Sequence, residues 1–265
     1  MPFVEAERAR IHYQLDGRED APVLTLSNSL GTTLEMWDEL LPALAERFRL
    51  LRYDTRGHGR SPVPPGPYSI DDLGRDALAL LDRLRLERVS FCGVSLGGMT
   101  GMWLAARVPE RIERLALCCS SAHMPPPETW TERADAVRSR GMAAIADATL
   151  GRWFTPAASE RRPEAVERLR RGLLGVTPEG YAGCCEAIRD MDLRPALRSI
   201  RAPTLVIAAE DDPSTPPDQH GRVIAESIEG ARLVVLGEGR HLVAVERPDE
   251  VAPLLLDHLV AEAAV

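Results

Sequence analysis

The segment Arg88-Val89-Ser90-Phe91-Cys92-Gly93-Val94-Ser95-Leu96-Gly97-Gly98-Met99-Thr100 changes character twice in quick succession. Arg88 to Gly93 is a compact apolar run of the kind that suits a strand buried on both faces. Gly98-Met99-Thr100 opens a helical pattern that continues to Arg107. Between the two lies Gly93-x-Ser95-x-Gly97. By composition about one chain in ten of this length carries such a pattern by chance. A strand before it and a helix after it make the match informative, because that setting puts a serine on a sharp turn with its hydroxyl exposed. Glycine is needed on both sides because a side chain there would strike neighbouring backbone.

Outward from this turn, apolar runs alternate with amphipathic stretches. Residues 23–27, 49–54, 88–93, 114–119, 204–209 and 231–236 read as strands; 34–48, 70–86, 96–107, 218–228 and 249–262 read as helices. Strand–helix alternation predicts an α/β fold with an open, mostly parallel, doubly wound sheet. Residues 3–15 read as an antiparallel hairpin added at one edge. From Met124 to Leu197 the strand pattern vanishes and only helical pattern remains. The expected organisation is therefore a core in two parts, residues 1–123 and 198–265, with a helical cap, residues 124–197, inserted between core strands.

A nucleophilic serine needs a base. His12, His58, His123 and His220 precede the last apolar run, and His258 falls in the C-terminal helical stretch, where a solvent-facing or packed role is expected. His241 follows the last strand on a loop. For this type of turn the order along the chain is serine, acid, histidine, which makes His241 the expected base. Glu210, Asp211 and Asp212 crowd the end of run 204–209. Pro213 and Pro216 stiffen the turn behind Asp212 and favour it as the acid; Asp211 is the fallback. The acid would hold the imidazole in its useful tautomer. An oxyanion hole needs two backbone N–H groups. Leu96, next to the serine, would supply one, and Leu30 in the loop after run 23–27 the other, with Ser29 as the alternative. The stretch Asp54-Thr55-Arg56-Gly57-His58-Gly59-Arg60-Ser61 lacks a phosphate-loop pattern. It is expected to form a buried structural network among Asp54, Arg56 and His58.

Composition narrows the class. Hydrophobic residues at 45% and charged residues at 27% fit a globular chain. The net charge of −8 argues against a nucleic-acid partner and against docking on anionic lipid. No apolar run approaches the ~20 residues that span a bilayer. The five cysteines, at 92, 118, 119, 184 and 185, are odd in number and form no CxxC, so neither a disulfide framework nor a zinc site is expected. With no signal-peptide pattern at the start, these features point to the cytoplasm.

The set D-T-R-G-H-G-R-S, G-V-S-L-G-G-M, D-x-x-T-P and the late G-R-H resembles the α/β-hydrolase superfamily over essentially the whole chain. More narrowly, SNSLGTTLEMWD, PYSIDDLGRD, FCGVSLGGMTG, RWF and YAGCCEAIRDMDLR resemble 3-oxoadipate enol-lactonases of the β-ketoadipate pathway. The resemblance implies a cofactor-free serine hydrolase, with no metal, that opens 3-oxoadipate enol-lactone to 3-oxoadipate through an acyl-enzyme. Two stretches depart from the family. Asn28-Ser29 stands where many members have His-Gly, and Cys118-Cys119-Ser120-Ser121 replaces an Asn-Thr-Ala type stretch, with an expected effect on pocket polarity. The implied partner is a small anionic lactone, so a −8 chain must supply a local cation. Arg133, with Trp130 as an aromatic wall, is the first candidate; Trp153 is a second wall and Arg189 a weaker cation. Competing readings are a general carboxylesterase or a cofactor-free perhydrolase of the same fold, and, from another class, a non-catalytic ligand-binding protein on a hydrolase scaffold.

Overall fold

The apolar runs become strands of a single sheet in the computed structural model, which describes residues 2–260. In chain order these are β1 (Phe3–Glu5), β2 (Arg10–Asp16), β3 (Val23–Ser27), β4 (Arg49–Tyr53), β5 (Val89–Val94), β6 (Ile112–Cys118), β7 (Thr204–Ala209) and β8 (Arg232–Leu236). Their spatial order is β1-β2-β4-β3-β5-β6-β7-β8. β1 pairs with β2, and β2 with β4, antiparallel, so the opening hairpin sits at one edge; every other pairing is parallel. All residues of β5 and β7 are buried, as strands covered by helices on both faces must be. The helix Leu96–Arg107 is buried for most of its length against β5. The last helix runs over Pro248–Leu259; positions 261–262 of the expected helix lie outside the described residues. His258 in it is packed, its Nε2 lying 3.0 Å from the Leu115 carbonyl.

Between β6 and β7 the chain forms the helices Pro127–Arg140, Ala146–Trp153, Pro156–Arg161, Pro163–Gly175 and Pro178–Asp190. Four of them begin with proline, which gives up only an N–H that a first turn leaves unpaired anyway. Thr155 and Thr177 cap two of these starts, accepting from the N–H groups of Ala158 and Gly180. A bridge between His123 and Asp192, with Leu193 N–H donating to the Ala122 carbonyl at 2.8 Å, closes the stem of this insertion.

Two expectations need correction. Residues 34–48 do not form one helix. They make a 3₁₀ turn, Leu34–Trp37, and a single α-turn, Leu41–Leu44, started by Pro42. Tertiary bonds outweigh helical propensity there: Leu34 N–H donates to Asp54 at 2.9 Å, and Trp37 Nε1 to the Asn28 side-chain oxygen at 2.8 Å. Nor do Asp54, Arg56 and His58 bond mainly to one another. Asp54 accepts from Leu34 and Arg60 N–H and pairs with His12. Arg56 grips Asp76 with two bonds of 2.6 and 2.8 Å. His58 shares only the Arg56 carbonyl with that set, and its other ring nitrogen reaches Gly31.

Candidate active site

The loops at the carboxyl ends of β3, β5, β7 and β8 converge where an open α/β sheet places its ligands. Ser95 follows β5 directly, at φ 54° and ψ −114°, a conformation that L side chains seldom adopt. It is held there by its own N–H donating to the Cys118 carbonyl at 2.9 Å, and by Ser120 Oγ donating to the Ser95 carbonyl at 2.8 Å. A Cβ on Gly93 would overlap the Gly97 carbonyl, and one on Gly97 would overlap Ser27 at the end of β3. The Ser95 side chain forms no hydrogen bond among the described residues and faces a cavity of about 190 Å³ that His241 also lines.

Asp212, on the turn after β7, is buried at 2% exposure, whereas Asp211 is exposed. Its carboxylate lies 2.8 Å from His241 Nδ1 and also accepts from Thr215 Oγ1 at 2.5 Å and Ser214 N–H at 2.8 Å. Burial by itself would raise the Asp212 carboxyl, but the His241 ring and those hydrogen bonds outweigh it and hold it below the usual carboxylate range. An ionised Asp212 can only accept, so Nδ1 of His241 carries a proton, the arrangement that leaves Nε2 as the acceptor in a neutral ring.

In the loop after β3, three successive amides have different fates. Ser29 N–H points to Met36 Sδ at 3.4 Å and Gly31 N–H donates to His58 Nε2 at 3.1 Å. Leu30 N–H, between them, has no acceptor among the described residues. Leu96 N–H, at the start of the helix after Ser95, likewise has none.

The far wall comes from the insertion. Trp130 and Trp153, at 8% and 3% exposure, line the cavity with Arg133, whose guanidinium stands 4.7 Å over the Trp130 ring. Arg152 lines it too, its guanidinium bonded to Thr149 Oγ1 at 3.0 Å. Neither Arg133 nor Arg152 has a carboxylate partner among the described residues. Burial, then the charge of Arg133, lowers the Arg152 pKa from its ordinary value. Arg189 does not reach the cavity; it pairs with Asp190 at 2.7 Å. No three His, Cys, Asp or Glu side chains cluster as metal ligands among the described residues.

The sequence matches a family profile described as alpha/beta hydrolase fold over residues 22–248. The chain belongs to the α/β-hydrolase family. Among relatives, 3-oxoadipate enol-lactonase 2 of Acinetobacter baylyi is 43% identical over 92% of this chain and 90% of its own length. A putative carbamate hydrolase of Stutzerimonas stutzeri is 31% identical, with 95% and 97% covered. The crystal structure of an enol-lactonase from Burkholderia xenovorans superposes with a TM-score of 0.94 at 46% identity, covering 97% of this chain and 99% of that one. The resemblance read from the motifs is thereby borne out.

In this α/β hydrolase the two departures from the family motifs have structural accounts. Asn28 is fully buried and spans the Tyr53 carbonyl (2.7 Å) and Trp37 Nε1, so it anchors the loop that carries Leu30. The stretch 118–121 does not line the Ser95 cavity, contrary to the expected effect on its polarity. Ser120 supports Ser95 from behind, and Ser121 bonds His220 Nδ1 at 2.7 Å beside a neighbouring cavity. Sequence reasoning missed Arg152, although it is the first residue after Gly151 in the same R-W-F stretch that drew attention to Trp153. It also missed Tyr181, Thr149 and Met99 on the cavity wall.

Proposed function

We propose that this protein hydrolyses a small anionic lactone, with 3-oxoadipate enol-lactone as substrate, through an acyl-enzyme on Ser95. The observation that carries this reading is the coexistence, in one small cavity, of Ser95 and His241 with two arginines that lack acidic partners among the described residues. A neutral-ester hydrolase has no use for two half-buried, unpaired cations, which are costly to hold away from water. In the proposed mechanism, His241, oriented by Asp212, takes the Ser95 proton as Oγ attacks the lactone carbonyl. The N–H groups of Leu30 and Leu96 face the developing oxyanion. The ring C–O bond then breaks, the leaving enol oxygen takes the proton from His241, and the enol tautomerises to the ketone. Water, deprotonated by His241, attacks the acyl-enzyme and releases the dicarboxylic keto acid. Arg133 and Arg152 hold the substrate carboxylate, and Trp130 and Trp153 flank the ring.

The relatives named as enol-lactonases support this choice of substrate. The likeness to putative carbamate hydrolases keeps a carbamate as the second reading. Residues 124–197 act in this reading as the cap that selects the substrate. A cytoplasmic setting belongs to the same reading, since all five cysteines are free and buried. The test is turnover of enol-lactone generated in situ, compared with a carbamate and with neutral p-nitrophenyl acetate. The reading expects the highest kcat/KM on the lactone and none in Ser95→Ala. Preference for the neutral ester or the carbamate, or an active Ser95→Ala enzyme, would overturn it.

A further inference from the structure

We propose that His58 is a positioning residue for the oxyanion hole, fixing the register in which Leu30 is the loop amide left free for the acyl oxygen. The inference rests on the reading of Ser95 as an acyl-forming nucleophile, but not on which ester it attacks. His58 lies far from the reacting atoms in sequence and outside the wall of the Ser95 cavity. Its two ring nitrogens are both engaged: Nδ1 at 3.1 Å from the Arg56 carbonyl, Nε2 at 3.1 Å from Gly31 N. A carbonyl only accepts, so Nδ1 carries the hydrogen and Nε2 must be the bare acceptor that Gly31 N–H requires. The geometry thus selects one neutral tautomer.

The consequence falls on the residue next door. The Ser29 carbonyl accepts from Thr32 N–H at 3.2 Å and from Thr32 Oγ1 at 2.8 Å, which sets the peptide plane that carries Leu30 N–H. Gly31 N–H on His58 sets the plane that follows Leu30. Leu30 N–H then has no acceptor among the described residues, while Leu30 itself lines the Ser95 cavity. Gly31 makes the turn possible at φ 83°, and a Cβ there would come within 2.8 Å of Leu173 Cδ1 in the insertion. His58 is in turn immobilised. Its N–H donates to the Thr55 carbonyl at 2.9 Å, Arg56 beside it is locked onto Asp76, and the carbonyl of Gly57 accepts from Thr177 Oγ1 of the insertion at 3.0 Å. Burial at 1% exposure pushes the imidazole down to about 4, so it stays neutral and keeps its acceptor lone pair at ordinary pH.

The test compares three variants on both the lactone and p-nitrophenyl acetate. His58→Phe keeps volume and removes the acceptor; His58→Gln places an amide oxygen near the Nε2 position; His58→Asn is too short to reach Gly31. Misplacing one oxyanion donor lowers kcat by about 10- to 100-fold in His58→Phe, with KM within about twofold, and His58→Gln recovers most of the loss. Where His58→Phe yields no folded protein, Gln against Asn decides: a Gln variant near wild type and an impaired Asn variant support the proposal. Equal kcat in Gln and Asn, a wild-type kcat in Phe, or a loss confined to KM overturns it. A kcat effect on p-nitrophenyl acetate without any lactone turnover upholds His58 and overturns only the choice of substrate.

Discussion

Replacing Arg152 by methionine keeps most of the side chain's volume and removes only its charge, and the same exchange at Arg133 gives a matched second variant. In the free enzyme these two cations face one cavity without a carboxylate partner among the described residues, and burial together with Arg133 disfavours the charge on Arg152. What Arg152 loses on substitution is one hydrogen bond to Thr149 Oγ1, and what Arg133 loses is its stacking on Trp130. The stacking contributes about 1 kcal/mol or less and the charged hydrogen bond about 1.5–3 kcal/mol, each offset by relief of the burial and mutual repulsion of two cations. Thermal stability is therefore expected to move by no more than a few degrees in either direction. Binding should respond quite differently. A hydrogen bond to a charged group contributes about 1.5–3 kcal/mol, so each variant should raise KM for the anionic lactone by roughly 10- to 150-fold. KM for neutral p-nitrophenyl acetate should change by less than about threefold. The assay is steady-state turnover of both substrates by wild type and the two variants, with a thermal melt of each free protein. Unchanged lactone KM in both variants, or an equal rise on both substrates, would refute the assignment of the carboxylate to these arginines.

Three further outcomes follow from the same geometry. Ser95→Gly should be more stable than Ser95→Ala by about 1 kcal/mol in urea unfolding, since glycine accepts φ 54° while alanine keeps a strain of about 1–3 kcal/mol; both should be inactive, and equal stability would remove the strain argument. Asp212→Asn should leave the fold intact yet lower kcat on the order of 10⁴-fold by permitting the wrong His241 tautomer, a magnitude taken from the serine-protease triad; a loss under tenfold would show that Asp212 does not orient the base. The third concerns acid. His58 binds its proton at about 4 when folded and near 6.5 when unfolded, so the unfolded chain is protonated first. Wild type should then lose stability relative to His58→Gln as pH falls from 6.5 to 4, by up to about 3 kcal/mol. A pH-independent difference in urea midpoints between the two proteins would contradict this.

The parts of the molecule that were legible in the sequence are those governed by local rules. The turn at Ser95 is dictated by glycines that no other residue could replace, and the sheet by apolar runs too continuous for one-sided strands. The prolines behind Asp212 favoured it over Asp211, and the structure buries Asp212 against His241 while leaving Asp211 exposed. Residues 34–48 were misread because their periodicity is helical while their polar groups are committed elsewhere, to Asp54 and Asn28. The same holds for Asp54, Arg56 and His58: proximity in sequence suggested one network, whereas each side chain serves a different segment. Arg152 illustrates the deeper difficulty. An arginine on a short helix is usually solvated, and only the packing of the insertion over the sheet turns this one inward.

In the proposed reading, that packing also ties substrate recognition to the placement of the base. The segment 151–155 presents Arg152 and Trp153 to the cavity and, through its backbone, carries the loop of His241. His241 N–H approaches the Arg152 carbonyl at 3.4 Å, Leu242 N–H donates to the Trp153 carbonyl at 3.2 Å, and Arg240 Nη1 reaches the carbonyls of Gly151 and Phe154. Glu246, at 3% exposure, closes the clasp: one carboxylate oxygen accepts from Thr155 N–H and Oγ1, the other from Arg240 N–H at 2.6 Å. Because none of these bonds uses the side chain of residue 152 or 153, those side chains are free to vary while the clasp persists. A segment built this way lets substrate preference drift by substitution without displacing His241. By the same logic, shifting the backbone of 151–155 would disturb substrate binding and proton transfer together.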